Sequence, residues 1–247
     1  LVVASSEFDC ELEQEYVNRF IGYRFAAIIC VAIDYRSEYW KLVHDYDIPL
    51  ILIRTCPEGS GVNYISFDDR HGTYLASKHL LDKGYRHISY FGVTVPDTEL
   101  LQNVHHNRVA GCKKAVEEYG PGYVFSQELV PDNPDELKEW LKKWLAREDR
   151  AGGIICEQDV IAVQVMKCLK ALGARIPQDV AVIGFNNTEG LCEVCTPTLT
   201  SVDLPRYELG CEIGQAIIDI IEAKKADQEQ PVYHKLLAPS LVVRESC

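Results

Sequence analysis
The sequence predicts an α/β fold built on parallel sheet. The first observation is a set of five apolar runs: "FAAIICVAI" (25–33), "IPLILI" (48–53), "RHISYFGV" (86–93), "AGGIIC" (151–156) and "DVAVIGF" (179–185). They are apolar almost throughout rather than alternating, the pattern of strands buried on both faces in a parallel sheet. The second is the stretches between them, which carry the spacing of amphipathic helices. Strands that alternate with helices require crossover connections, which are right-handed. The third is continuity: no repeat, low-complexity run or composition break interrupts the pattern.

The elements follow in order. Leu12, Tyr16 and Phe20 recur at four-residue spacing, with Glu11, Glu13 and Glu15 suited to the positive end of a helix. Leu75, His79 and Leu80 precede Gly84, a helix stop, and a helix from Arg108 to Tyr119 stops at Gly120. Asp132 or Asn133 can cap a helix with Pro134 at its first position. Leu137, Trp140, Leu141, Trp144 and Leu145 then form one apolar stripe, which makes the two tryptophans core residues rather than ligand stackers. After Asp159, Ile161, Val165, Leu169 and Leu172 line a helix ended by Gly173. A long helix starts at Pro205 and carries Leu209, Ile213, Ile217 and Ile220 on one side. The polar connector "ADQEQPV" leads to a short strand segment in "KLLAPSLVVRESC".

Composition narrows the function. The chain has 247 residues, 47% hydrophobic and 25% charged, which suits one large domain or two small ones. A net charge of −12 argues against gripping nucleic-acid phosphates with this segment alone. Ten cysteines sit in apolar runs as often as in loops, the usage of reduced thiols in a cytoplasmic protein. Cys192 and Cys195 form one CxxC with no second ligand pair, so no metal is expected. The opening "LVVASSEFDCELEQEY" has neither the basic nor the apolar region of a signal peptide, and no stretch is apolar enough to span a bilayer. It begins on strand-like residues without Met, as a piece of a longer protein would.

No enzyme constellation is visible. GxSxG, HExxH, P-loop and GxGxxG patterns are absent, and no carboxylate pair stands out as acid and base. The "GSG" at 59–61 reads as a turn, and His105 and His106 read as exposed loop histidines. A non-enzymatic chain without a cofactor is expected. Polar residues at strand ends stand out instead. Glu157, Gln158 and Asp159 follow "GGIIC", and Asn186 and Asn187 follow "VAVIGF". Ligands of open α/β sheets bind outside the carboxyl ends of strands, and amides there can both donate to and accept from a polyhydroxylated ligand. Asp159 reads as a helix cap and Gln158 as a ligand contact. The two asparagines read either as turn residues or as part of that site.

Several motifs in order resemble the effector-binding domain of the lactose-repressor and galactose-repressor transcription factors, over nearly the whole chain. They are "VNYISFDDRHGTYLASKHLLDKGYRHISYFG" (62–92), "NRVAGCKKAV" (107–116), "GGIICEQDVIAVQVMKCLKALGARIPQDVAVIGFNNTE" (152–189), "TPTLTSVDLPRYELG" (196–210) and "LVVRES" (241–246). The resemblance implies two doubly wound parallel-sheet subdomains of the periplasmic-binding-protein type around a ligand cleft. The first would comprise 1–84 plus 203–232 and the second 85–202 plus 233–247. It implies a small-molecule effector, a sugar or a similar small polar metabolite, whose binding switches the DNA affinity of a homodimer through a DNA-binding domain not contained in this chain. A sugar-binding protein of a transporter shares the two-lobed fold and is the alternative, disfavoured by the many unpaired cysteines.

Residue by residue, Arg108 matches the arginine that holds ligand hydroxyls or a carboxylate, a task suited to its planar donor fork. Gln158 stands where Asn is usual, and Asn186 where Asp is usual. His71 falls at a loop position ahead of the helix glycine that lines the cleft. Arg206 falls near the start of the last long helix, where an apolar or aromatic residue covers the ligand. The family also has an opening strand and helix ahead of "LVVASS". By this resemblance the first subdomain would be N-terminally truncated, and a gap or unpaired sheet edge is expected there.

Overall fold
The computed structural model describes residues 1–33, 39–53, 62–93 and 99–247. The turn expected at 59–61 lies outside them. The elements are α1 (Cys10–Gly22), β1 (Ile28–Cys30), α2 (Tyr39–Asp45), β2 (Leu50–Leu52), β3 (Asn63–Phe67), α3 (Asp69–Asp82), β4 (His87–Val93), α4 (Glu99–Tyr119) and β5 (Val124–Val130). There follow α5 (Pro134–Leu145), β6 (Gly153–Cys156), α6 (Asp159–Ala171), β7 (Ala181–Asn186), α7 (Leu191–Val194), β8 (Thr200–Asp203), α8 (Arg206–Lys225), β9 (His234–Leu237) and β10 (Ser240–Val242). They form two compact units. Unit 1 is Leu1–Phe67, Asp97–Asn103 and Pro205–Leu237, and unit 2 is Asp68–Pro96, Val104–Leu204 and Ala238–Cys247.

Unit 1 holds a four-stranded parallel sheet in the order β1-β2-β3-β9. Val17 of α1 and Trp40 and Val43 of α2 pack with Ile28 and Leu52 in one core. Leu209, Ile213, Ala216 and Ile220 of α8 are also buried, and α8 packs on β3. The Tyr233 hydroxyl donates to Asp219 Oδ2 at 2.6 Å, and Lys235 pairs with Glu212 at 2.7 Å, so the start of β9 is tied to α8. Among the described residues β1 has β2 on one side and no strand on the other. Ile29 and Val31 are exposed there, and a hollow of about 380 Å³ separates Ile28 and Ile29 from Leu1–Ala4. This is the unpaired edge expected from the sequence.

Unit 2 holds a six-stranded sheet in the order β10-β8-β7-β6-β4-β5, parallel except for β10. The side chains of successive strand residues point to opposite faces. Ile154 and Cys156 of β6, Val182 of β7 and Phe91 of β4 join Leu137, Leu141 and Trp144 of α5 and Ile161, Val165 and Leu169 of α6 in one core. The intervening residues face α3 instead. A Cβ on Gly153 would meet Leu80 Cδ1 at 2.9 Å, and one on Gly72 would meet Val202 Cγ1 at 3.0 Å and Phe185 Cε2 at 3.1 Å. The sheet is thus covered on both faces, which is why its strands read as unbroken apolar runs.

The division differs from the expected boundaries at α3 and β9, and also at 97–103, which go with unit 1, and at 203–204, which go with unit 2. α3 packs on β4, β6, β8 and β10, so it goes with unit 2 rather than with 1–84. β9 pairs with β3 from Tyr64↔His234 to Phe67↔Leu237, so 234–237 go with unit 1 rather than with 233–247. The strand read at 25–33 is shorter, Ile28–Cys30. Asn133 is the cap of α5, accepting from the Asp135 and Glu136 amides. β5 gave no apolar run because it is an edge strand, with exposed and partly buried residues nearly alternating along "VFSQELV".

Candidate functional site
The chain order of β4, β5 and β6 creates a particular place in the sheet. β5 lies on one side of β4 and β6 on the other, so the winding reverses between β4 and β6. At such a reversal the loops leave the strands in opposite directions and open a crevice at their carboxyl ends. Glu157 and Gln158 follow β6 at this point, and Asn186 ends β7 beside them.

Arg108 of α4 reaches the same place and is buried. Its Nε and Nη2 donate to Asp69 Oδ1 at 2.9 and 2.8 Å, and its Nη1 donates to the Glu157 carbonyl. Its Cζ stands 3.6 Å from the centroid of the Phe185 ring, a cation–π contact. Burial opposes the charge, but Asp69, with Tyr90 and Glu157, outweighs it and holds the guanidinium pKa above its ordinary value. Arg108 thus joins α3 and α4 to the ends of β6 and β7.

Glu157 is turned inward. Its Oε2 accepts from the Val93 amide at 3.2 Å, and Oε1 lies 3.8 Å from His105 Nδ1. His105 Nε2 is 2.6 Å from Gln127 Nε2. His105 therefore belongs to α4 and packs beside a buried carboxylate, which corrects its reading as an exposed loop residue. Gly92 permits this approach, because a Cβ there would stand 2.8 Å from His105 Cε1 and 3.1 Å from Glu157 Oε2. The Tyr90 ring meets His105 edge-on at 5.3 Å, and burial pushes its hydroxyl pKa well above the ordinary value.

Asp159 is not the cap of α6. Gln158 holds the N-cap position without a side-chain hydrogen bond, and it is exposed. Asp159 is fully buried and accepts from Ser201 Oγ at 2.5 Å, from the Thr188 amide at 2.7 Å and from Thr188 Oγ1 at 2.9 Å. It staples the start of α6 to β8 and to the loop after β7. The glycine of "VIGF" makes room for it: a Cβ on Gly184 would lie 2.2 Å from Asp159 Oδ1.

The two asparagines separate in role. Both have positive φ, +104° at Asn186 and +48° at Asn187, which short amide side chains tolerate. Asn187 is held on every side. Its amide donates to Ser201 Oγ at 3.0 Å, its Nδ2 to Asp203 Oδ1 at 3.0 Å, and its Oδ1 accepts from Arg244 Nη2 at 2.9 Å. Arg244 also donates to the Leu199 carbonyl at 2.8 Å and pairs with Glu193 at 2.6 Å. Asn187 is therefore turn chemistry, and Asn186 is the residue placed at the strand end.

His71 is the third residue of α3, not a loop residue. Its amide donates to the Asp68 cap at 2.8 Å and its ring lies parallel to Tyr74. Unit 2 thus holds Arg108, Gln158, Asn186 and His71, whereas Arg206 opens α8 in unit 1. Sequence reading missed Asp69 as the partner of Arg108, and the Arg244 link to Asn187. Those pairs are 39 and 57 residues apart, and the available signals were only the "DD" before α3 and the arginine of "LVVRES". Among the described residues no group of three or more His, Cys, Asp or Glu side chains is placed to hold a metal ion.

Known proteins place this arrangement. The family of periplasmic binding protein-like domains matches residues 77–247. The transcriptional regulator RegA of Clostridium saccharobutylicum, described as of the helix-turn-helix type, is 26% identical over 249 residues, covering 100% of this chain and 72% of RegA. The crystal structure of a LacI family transcriptional regulator from Silicibacter pomeroyi superposes with a TM-score of 0.78 at 23% identity, over 100% of this chain and 87% of that one. That of a LacI family regulator from Enterococcus faecium with bound ribose superposes with a TM-score of 0.76 at 24% identity, over 94% of this chain and 83% of that one. The chain belongs to the periplasmic-binding-protein-like family, and within it is the effector-binding domain of a transcriptional regulator of the lactose- and galactose-repressor type.

Proposed function
We propose that the domain senses a sugar or a similarly small polar metabolite at the carboxyl ends of β4, β6 and β7. The observation that carries this reading is the polar set around Arg108. A buried guanidinium is fixed by Asp69, the Glu157 carbonyl and the Phe185 ring, beside the exposed Gln158 and the strand-end Asn186. Donor and acceptor amides next to a preset cationic fork suit hydroxyl groups. His71 and Arg206 stay in the proposed ligand set through the family resemblance alone. The ribose bound by the Enterococcus faecium regulator supports the sugar class.

Effector binding would shift the equilibrium of a homodimer between two states that differ in DNA affinity, through a DNA-binding domain linked to this one. The shift is limited by the effector's differential affinity for those states. The protein would act as a regulator in the cytoplasm and not as an enzyme. The relatives named above are transcriptional regulators, which favours this reading over a transporter component.

Calorimetric titration with a panel of pentoses, hexoses, disaccharides, nucleobases and amino acids tests the reading. A sugar is expected to bind. Gln158→Ala and Asn186→Ala should each weaken it by about tenfold, the effect of one lost polar contact. Unchanged affinity in both variants would remove the site. Binding of a nucleobase or amino acid in place of any sugar would remove the sugar class.

A further inference from the structure
Unit 1 contains a hollow of about 840 Å³ where α1, α2 and α8 end. It lies at the amino ends of β1 and β2, so it is not the strand-end site described above. Phe25, Ile48 and Ile221 give it an apolar wall, and Arg24, Lys224 and Lys225 stand on its lining. A concave, mostly apolar site of about 300–1,000 Å³ with a few convergent polar groups is the usual form of a small-molecule pocket.

The cations can be sorted by their partners. Lys224 Nζ pairs with Asp47 Oδ2 at 2.6 Å and donates to the Asp47 carbonyl. The Lys224 hydrogen bond, with further help from Gln230, pulls the Asp47 carboxyl pKa below its ordinary value. Lys224 is thus already engaged. Arg24 and Lys225 also line the hollow and have no ion-pair partner among the described residues. Three cations against one carboxylate leave this hollow positive in a chain whose net charge is −12. Cations commonly offset the negative end of a helix, and Lys224 and Lys225 occupy the last turn of α8. That role does not account for Arg24, which lies beyond the end of α1, or for the apolar wall between the charges.

We propose that this hollow binds a small organic anion, an apolar ring bearing a carboxylate or phosphate. The ring lies against Phe25, Ile48 and Ile221, and the anionic group meets Arg24 and Lys225. The arginine fork matches the paired oxygens of either group. The site is independent of the effector reading, since none of its residues belongs to the polar set around Arg108.

The test is amide NMR of the full chain titrated with benzoate, phenyl phosphate, inorganic phosphate and phenol. Benzoate or phenyl phosphate is expected to shift the Gly22, Ala26 and Ile221 resonances saturably, and the tighter of the two identifies the anionic group. Arg24→Glu and Lys225→Glu alter exposed side chains, so the fold stays intact, and each should weaken binding by at least about tenfold. The proposal is overturned by any of three results. Neither aromatic anion binds by about 10 mM, the concentration range of the weakest specific sites. Inorganic phosphate alone reproduces the shifts, which leaves no role for the apolar wall. Or both charge-reversed variants bind as the parent does.

Discussion

The sequence put Arg108 forward as a ligand contact through a family resemblance, and the structure shows the task it performs within the fold. Its donors to Asp69 and to the Glu157 carbonyl hold the site's own frame, so the residue is costly to remove even without ligand. Replacing one partner of a buried pair leaves the other charge uncompensated, at about 3–5 kcal/mol. Arg108→Met and Asp69→Asn should each lower the urea-unfolding free energy by about that amount, and the double variant by clearly less than their sum. Additive losses would show that the two side chains are not coupled. The same distinction explains what the sequence could not show. Asp159 looked like a helix cap because its position after a strand is also where caps occur. Its true partners, Thr188 and Ser201, are 29 and 42 residues away, and no local pattern marks them.

At the scale of elements, the unbroken apolar runs were sufficient to place β4, β6 and β7, since strands covered on both faces have no polar side to show. Edge and short elements were missed for the opposite reason. β5 exposes part of each face, and α2 and β8 are too short to establish a period. Close crossings were equally hidden. Gly111 of α4 sits against α3, where a Cβ would lie 2.1 Å from the Arg70 carbonyl oxygen and 2.2 Å from Thr73 Oγ1. Alanine favours a helix interior over glycine by about 1 kcal/mol, yet Gly111→Ala should destabilise by about 1–3 kcal/mol because the obstacle includes backbone. Gly210 in α8 has nothing within 4 Å of the same position, so Gly210→Ala should stabilise by about 0.5–1 kcal/mol. Thermal unfolding of the pair separates crowding from propensity; equal shifts of one sign would contradict the packing described for α3 and α4.

For the molecule as a whole, the cysteines behave as a graded set. Cys112 is buried and its thiol pKa is pushed up to about 12 by burial, while Cys10 and Cys211 are exposed. Iodoacetamide at neutral pH should therefore label Cys10 and Cys211 in the native protein and leave Cys112 and Cys156 unmodified until unfolding, as peptide mass mapping would show. The same burial makes stability depend on pH. A thiol whose pKa is raised in the fold contributes fully below its ordinary value of 9.0, and that contribution is lost as pH rises towards about 12. The urea midpoint should fall above pH 9, and less steeply in Cys112→Ala. The placement of cysteines inside apolar runs, legible in the sequence, would thus set an alkaline limit on the fold. The indoles carry another consequence. Trp40 lies in the core of unit 1, whereas Trp140 and Trp144 lie nearly parallel in unit 2 with centroids 6.5 Å apart. Each unit therefore has its own chromophore. Trp40→Phe should leave emission that follows unit 2 alone, and the pair Trp140→Phe and Trp144→Phe should leave emission that follows unit 1. Melting, ligand response and recovery from denaturant can then be recorded for one half of the fold at a time, without an added label.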